Sequence, residues 1–417
     1  MGVKKGHPMR EGTGVRETTM NKAPPPLLTR ITLQGFLSYG PNPVTIPLTS
    51  LNVFIGPNGA GKSNLIEALS VLRAAPRDLP MPIRQGGGVR EWLWKGPPEA
   101  SEAIIEVVFA EGQVAHAPWG DPAVLYRLAF GVEGDSFVVT DERIEHEQAR
   151  PGEAKPYCYF GYEGGRPMLN VQSEGRELRR EDIDPTQSIL SQRRDPDTYP
   201  ELTRLAGLLG KLRAYRSWPF GPDSVLRTSS RVDVRTDALS EEFDNLAARL
   251  AVLKRDPVVK RRLVEHLTTL APGFDDLEIV PEGGLLQLYL TEGKRVIAAR
   301  RLSDGTLRFL CLLAVLLDPQ PPPLVIIEEP ELGLHPDVLP TLRDLMVEAS
   351  GRCQLLVTTH STTFIDAFTD HAEAVLVCEK PEATSIVTRL TQAEVNRWKP
   401  HGSLGQQWMS GHLGGTR

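Results

Sequence analysis

Between Ile31 and Gly56 the chain alternates short apolar runs with Gly, Pro and Asn (ITLQGFLSYGPNPVTIPLTSLNVFIG), a pattern that predicts two or three strands leading into a loop. A similar pattern recurs from Ile104 to about Val139, where EAIIEVVFA and LYRLAFGV predict antiparallel strands on one flank of a mixed sheet. Beyond Glu177 the period changes. Leu239, Phe243, Leu246, Leu250 and Leu253 alternate four and three residues apart, which predicts one helical face packed on a core. Strand signals return with LEIV and LLQLYL, and LSDGTLRFLCLLAVLL then predicts a loop opening a buried helix. The closing pattern is strand, helix, strand: LVIIEE, a helix through Val338 to Met346, and QLLVTTHS. Such alternation implies parallel βαβ units, hence an α/β fold with a mixed sheet and a helical insert. The expected organisation is a polar tail over 1–26, an N-terminal lobe over 27–176, a helical insert or lid over 177–272 and a C-terminal lobe over 273–417.

The 417 residues exceed what one hydrophobic core usually holds, and 40% hydrophobic with 24% charged residues describes an ordinary globular chain rather than a disordered one. No apolar run approaches the roughly 18 to 20 residues of a membrane span. The opening, MGVKKGHPMREGTGVRETTMNK, lacks the apolar segment of a secretory signal, so a cytoplasmic protein without membrane contact is expected. Cys158, Cys311, Cys353 and Cys378 are far apart with no CxxC pair, which points to reduced, mostly buried thiols. The net charge of -6 argues against a wholly basic surface. Residues 1–30 and 176–262 nevertheless each carry a net charge of +4, so these stretches are where a polyanion would be met.

Gly56, Pro57, Asn58, Gly59, Ala60, Gly61, Lys62 and Ser63 match the phosphate-loop pattern without departure, between the strand candidate LNVFI and a helix candidate from Asn64 to Leu72. In that context backbone N–H groups turn inward around phosphates, Lys62 reaches the β and γ phosphates, and Ser63 is a ligand for Mg²⁺. The run Leu324–Ile327 ends in Glu328 and Glu329, at the strand end where α/β proteins place ligands. Alone, such a run reads as a strand meeting solvent. Beneath a phosphate loop it places Glu328 on the metal side and Glu329 as the base for the attacking water. Leu302, Ser303, Asp304, Gly305 and Thr306 open the apolar helix, where a Ser and a Gly at a helix N-terminus form an anion site. His360 follows the apolar strand Leu355–Val357.

Taken in order, these motifs resemble the RecF/SMC/OLD-like branch of ABC ATPases, and above all its stand-alone bacterial members, over roughly Leu27 to Ala367. The closing GSLGQQWMSGHLGG is similar as well. The resemblance implies a P-loop NTPase head of the ABC type using ATP and Mg²⁺. It makes LSDGT the counterpart of the signature LSGGQ, so that Ser303 and Gly305 would cap the nucleotide held by the phosphate loop of a second copy, in an ATP-dependent homodimer. It makes His360 the switch histidine near the γ-phosphate, and Gln85 in IRQGGG the candidate for the glutamine that senses Mg²⁺ and water. Glu331 and His335 resemble the segment that crosses the dimer interface. Glu328 stands where the wider superfamily has Asp, and Asp304 where the signature has Gly.

About 240 residues separate Ser63 from Leu302 with no sustained heptads, which excludes the long arms of SMC proteins. The 57 residues after His360 are too few for the TOPRIM domain of OLD nucleases. The expected function is a conformational switch in DNA maintenance or phage defence, with the basic runs Arg176–Arg180 and Lys254–Arg262 as the surface for DNA. Two alternatives stand beside it: a regulatory ATPase that gates a protein effector without contacting nucleic acid, and the energy subunit of a transporter, against which the partial signature and the insert speak.

Overall fold

The computed structural model describes residues 26–116, 120–171, 174–177, 182–270, 272–398 and 402–413. The expected tail up to residue 25, and residues 178–180 of the first basic run, lie outside them.

A six-stranded sheet organises the molecule, in the order Arg213–Tyr215, Leu324–Glu328, Gln354–Thr358, Leu51–Ile55, Val375–Glu379 and Ile386–Arg389. The first five run parallel and the last is antiparallel. Parallel strands covered on both faces need apolar residues at every position, and LNVFI, LVII and QLLVT are buried throughout. Because successive side chains point to opposite faces, each strand contributes to two cores. Phe54, Leu324, Ile326, Leu356 and Leu376 enter one core. Their neighbours Val53, Ile55, Val325, Ile327, Leu355 and Val357 enter the other.

The first core is closed by an antiparallel sheet of eight strands running from Val44–Pro47 and Leu28–Gln34 through Glu102–Phe109 to Glu174–Glu177. The helix Lys62–Ala74 packs into this core, with Leu65, Ile66, Leu69 and Leu72 buried along one face. The expected antiparallel pairing of EAIIEVVFA with LYRLAFGV is present, with Ile105 opposite Leu128. The sheet extends further than the sequence pattern indicated, through hairpins at Cys158–Glu163 and Arg166–Val171.

The helices that cover the second core include Leu246–Leu253, Pro257–Leu270, Asp304–Leu316 and Leu339–Ala349. The continuous helical face expected from Leu239 to Leu253 is a helix only from Leu246 onward. Leu239 and Phe243 are buried in the same core, but Phe243 sits at φ 63°. Asn245 explains the break: its side chain donates to Arg235 O and Ala238 O and accepts from Ser240 N, which offers the backbone an alternative to helical pairing. The stretch read as a helical insert also supplies Arg213–Tyr215, the edge strand of the central sheet. Among the described residues the longest helix has 14 residues, and none is long and apolar enough to cross a membrane. Cys311, Cys353 and Cys378 are buried as free thiols and Cys158 is half-buried.

Glu142 anchors the segment at Ser188 to the large sheet. It is buried and accepts from Tyr126 OH, Ser188 Oγ and Ile189 N. Burial raises its carboxyl from 4.5 to about 7 despite those donors. A raised carboxyl favours the folded state at low pH, and that contribution disappears as pH rises through about 7. Relative to wild type, Glu142→Gln should therefore gain about 3 kcal/mol of unfolding free energy between pH 4 and pH 8, read from denaturant midpoints.

Candidate functional site

The strand Leu51–Ile55 ends at Gly56, and the chain wraps through the loop 56–61 before the helix starts at Lys62. Two glycines in this loop are dictated by space and by backbone conformation. Gly56 has φ 151°, and a Cβ there would fall 2.2 Å from the Cys378 carbonyl oxygen. Gly61 has φ 101°, and a Cβ there would meet Ser385 Oγ at 2.3 Å. The loop is fixed from outside: Tyr39 OH donates to Gly61 O at 3.1 Å, and Asn64 Nδ2 donates to Ser38 Oγ at 2.7 Å. Lys62 Nζ donates to the carbonyls of Gly56 at 2.7 Å and Pro57 at 3.0 Å, so the loop is curled round its own ammonium. Burial lowers the Lys62 pKa, opposed by the fields of Cys378, Glu329 and Glu328. Asn58 and Gly59 at the loop crest are exposed, and Ala60 packs inward.

Parallel pairing sets the rest of the site. Glu328 lies opposite Thr358, so the residues just beyond these strand ends, Glu329 and His360, come together. Ser63 Oγ donates to Glu328 Oε1 at 2.7 Å, and Arg216 Nε donates to Glu328 Oε2 at 3.1 Å while its NH1 reaches Glu67 at 2.8 Å. Glu329 occupies the left-handed region at φ 47°, held by its own N–H on Thr358 O at 2.9 Å and by Arg308, which donates to its carbonyl. His360 Nε2 is 3.5 Å from Glu329 Oε1. Burial, followed by the charge of Lys62, holds the imidazole below the usual histidine range, so it is neutral at pH 7. The hard oxygens of Ser63 and Glu328 converge as a Mg²⁺ site shared with phosphates requires. Among the described residues, no group of three or more His, Cys, Asp or Glu is arranged to hold a metal unaided.

The helix Asp304–Leu316 opens at Ser303, whose Oγ accepts from Thr306 N at 3.0 Å. Ser303 is exposed, and no hydrogen bond among the described residues joins it to its own chain's phosphate loop. Gly305 packs so closely under the segment after Glu329 that a Cβ would lie 2.6 Å from Gly333 O. Asp304 ties the signature to Gly221–Arg227, accepting from Gly221 N at 3.1 Å and from Arg227 at 2.6 Å. Gln85, by contrast, is exposed at the end of the short helix Pro80–Gln85 and has no hydrogen bond to Ser63, Glu328 or Glu329 among the described residues. Glu331 turns inward, accepting from Thr359 Oγ1, with its carboxyl raised chiefly by burial. His335 is exposed and caps the following turn.

Sequence reasoning overlooked the residues that hold Glu328 and Glu329 in place. Arg216, Trp218 and Arg308 all reach the backbone or side chains of these two glutamates. Arg308 is buried and stacks over Trp218 at 4.1 Å and Phe220 at 5.2 Å. A single cation inside the run TLRFLCLLAVLL was the available signal.

A phosphate loop between a parallel strand and a helix, facing a strand that ends in carboxylates, is the arrangement of a P-loop ATPase domain, here without a coiled coil among the described residues. Its fold is similar to an Smc head solved with the C-winged helix domain of ScpA, at 18% identity and TM-score 0.55 over 88% of this chain and 99% of that one. It is also similar to an Smc head with an extended coiled coil bound to the C-terminal domain of ScpA, derived from Pyrococcus furiosus. That likeness is at 15% identity and TM-score 0.52, over 90% of this chain and 99% of that one. The chain belongs to the family described as "AAA domain, putative AbiEii toxin, Type IV TA system", which matches residues 51–366. No curated protein matches the sequence.

Proposed function

We propose that this chain binds and hydrolyses ATP with Mg²⁺ between two copies of itself, and that closing and opening of this dimer is its output. The observation that carries the reading is the contact of Ser63 with Glu328, beside Glu329 and His360, at the mouth of a loop curled round Lys62. Lys62 would exchange its loop carbonyls for phosphate oxygens. Mg²⁺, when bound at Ser63 and Glu328, would neutralise the developing phosphate charge. Glu329 would orient and deprotonate the attacking water, and neutral His360 would donate to the γ-phosphate. The exposed Ser303 and the helix start behind it would close the site from the second copy.

Arg308 is the positioning group for Glu329. Arg308→Met should lower hydrolysis about tenfold without lowering the thermal midpoint, because an apolar replacement relieves a buried cation while freeing the Glu329 peptide. Steady-state rates beside a melting curve check both halves.

Two observations bear on the partner. Within Lys254–Arg262, Lys254 and Lys260 pair with Asp276, Arg261 with Glu265, and Arg262 with Glu348. Such neutralisation weakens this run as a surface for DNA, and it favours the second reading, a switch that gates a protein effector. The family's description as a toxin of a type IV TA system supports a role in a defence system. ATPase rates with and without DNA at low salt discriminate the two. Stimulation by DNA supports a DNA-directed switch, and an unchanged rate with empty gel shifts leaves the effector reading.

A further inference from the structure

A cleft of about 1070 Å³ lies at the opposite end of the central sheet from the phosphate loop. Its walls are the segments that enter two neighbouring strands: Gly210–Arg213, before and into Arg213–Tyr215, and Asp318–Pro323, before Leu324–Glu328. The charge there is unbalanced. Arg77, Arg194 and Lys211 line the cleft, are exposed, and have no acidic partner among the described residues. Among the described residues Arg213 donates to the carbonyls of Gly210 and Leu212, and its charge acts on Asp237, which Arg235 already pairs. The acids of the cleft are already engaged: Asp237 by Arg235, Asp318 by Arg249, and Asp256 by the N–H groups of Val258 and Val259. Arg249, only 5% exposed, has a buried Nε with no hydrogen-bond partner.

We propose that this cleft is a second anion site, which binds the phosphates of a phosphate-bearing ligand. Guanidinium groups present several N–H donors in a fixed plane that suits phosphate oxygens, and phosphates supply dense negative charge to a small volume. Base stacking is not part of the recognition, since no aromatic side chain lines the cleft. A peptide backbone fits poorly, because the wall Pro321–Pro323 has no N–H groups to offer it. The phosphates come either from the backbone of a nucleic-acid strand or from a small polyphosphate. The position makes the site relevant to catalysis: the same two strands lead to Arg216, just past Tyr215, and to Glu328, roughly 13 Å away along the strand Leu324–Glu328.

The inference does not rest on ATP turnover, and the test separates the two sites. Full-length Lys62→Ala protein, in which the phosphate loop is disabled, is titrated at low salt with a labelled oligothymidylate, with tripolyphosphate and with oligoglutamate. The same ligands are then titrated against a variant that also carries Arg194→Glu and Lys211→Glu. At least one phosphate ligand should bind the first protein, and its Kd should rise about tenfold or more in the second. Oligothymidylate alone identifies a nucleic-acid strand, and tripolyphosphate alone a small polyphosphate. Failure of both to bind, binding insensitive to the charge reversals, or oligoglutamate binding as tightly overturns the proposal. Unaltered ATP binding by Lys62→Ala would count against the phosphate loop and not against the cleft.

Discussion

Glu329→Gln should abolish turnover while ATP still binds, lowering the hydrolysis rate by about 100-fold or more, the usual contribution of a positioned general base. The substitution is nearly isosteric, and the backbone contacts that hold this residue at φ 47°, from Thr358 and Arg308, do not involve the side chain that changes. The Glu329 carboxylate is 3.5 Å from His360, whose imidazole is neutral at pH 7, so no salt bridge is lost at that pH. The variant should therefore fold normally and accumulate as an ATP-bound dimer, visible as a second species on size exclusion with ATP and Mg²⁺. Retained hydrolysis would remove Glu329 from the role of base.

Ser303→Arg should have an equally large effect on hydrolysis by a different route, reducing it to background while nucleotide binding to the monomer persists. Within one chain Ser303 caps its own helix through Thr306 N and, among the described residues, makes no hydrogen bond to the phosphate loop. Loss of that cap costs about 1 kcal/mol, which Ser303→Ala shares and which therefore serves as the control. A bulky arginine additionally excludes the facing copy's nucleotide from that helix start, an effect local to the one composite site it enters. Fluorescent-nucleotide titration beside a phosphate-release assay separates binding from turnover, and an active Ser303→Arg variant would sever the helix start from catalysis.

Much of the site was legible because its chemistry is local in sequence. The phosphate loop needs glycines at fixed positions, and Gly56 and Gly61 do stand where a side chain would strike Cys378 or Ser385. The carboxylates close an apolar strand, and the parallel register of Glu328 with Thr358 brings His360 beside Glu329. Contacts made across the fold were not legible. Arg216 reaches Glu328 from 112 residues away, and Ser38 reaches Ser385 across 347. Gln85 had only its place after the first helix to commend it, and its exposure at a helix end brings it to none of the site's polar groups. Periodicity failed between Leu239 and Leu246 for a physical reason: spacing records which residues are buried, and both a helix and the Asn245-tied turn bury Leu239 and Phe243.

The mixing of two inactive variants tests the shared site most directly. Lys62→Ala protein and Ser303→Arg protein should each be inactive alone. In an equal mixture, half the dimers pair one of each and carry one intact composite site, which should restore about a quarter of the wild-type rate. A mixture that remains as inactive as its components, or hydrolysis by a lone monomer, would contradict nucleotide held between two copies.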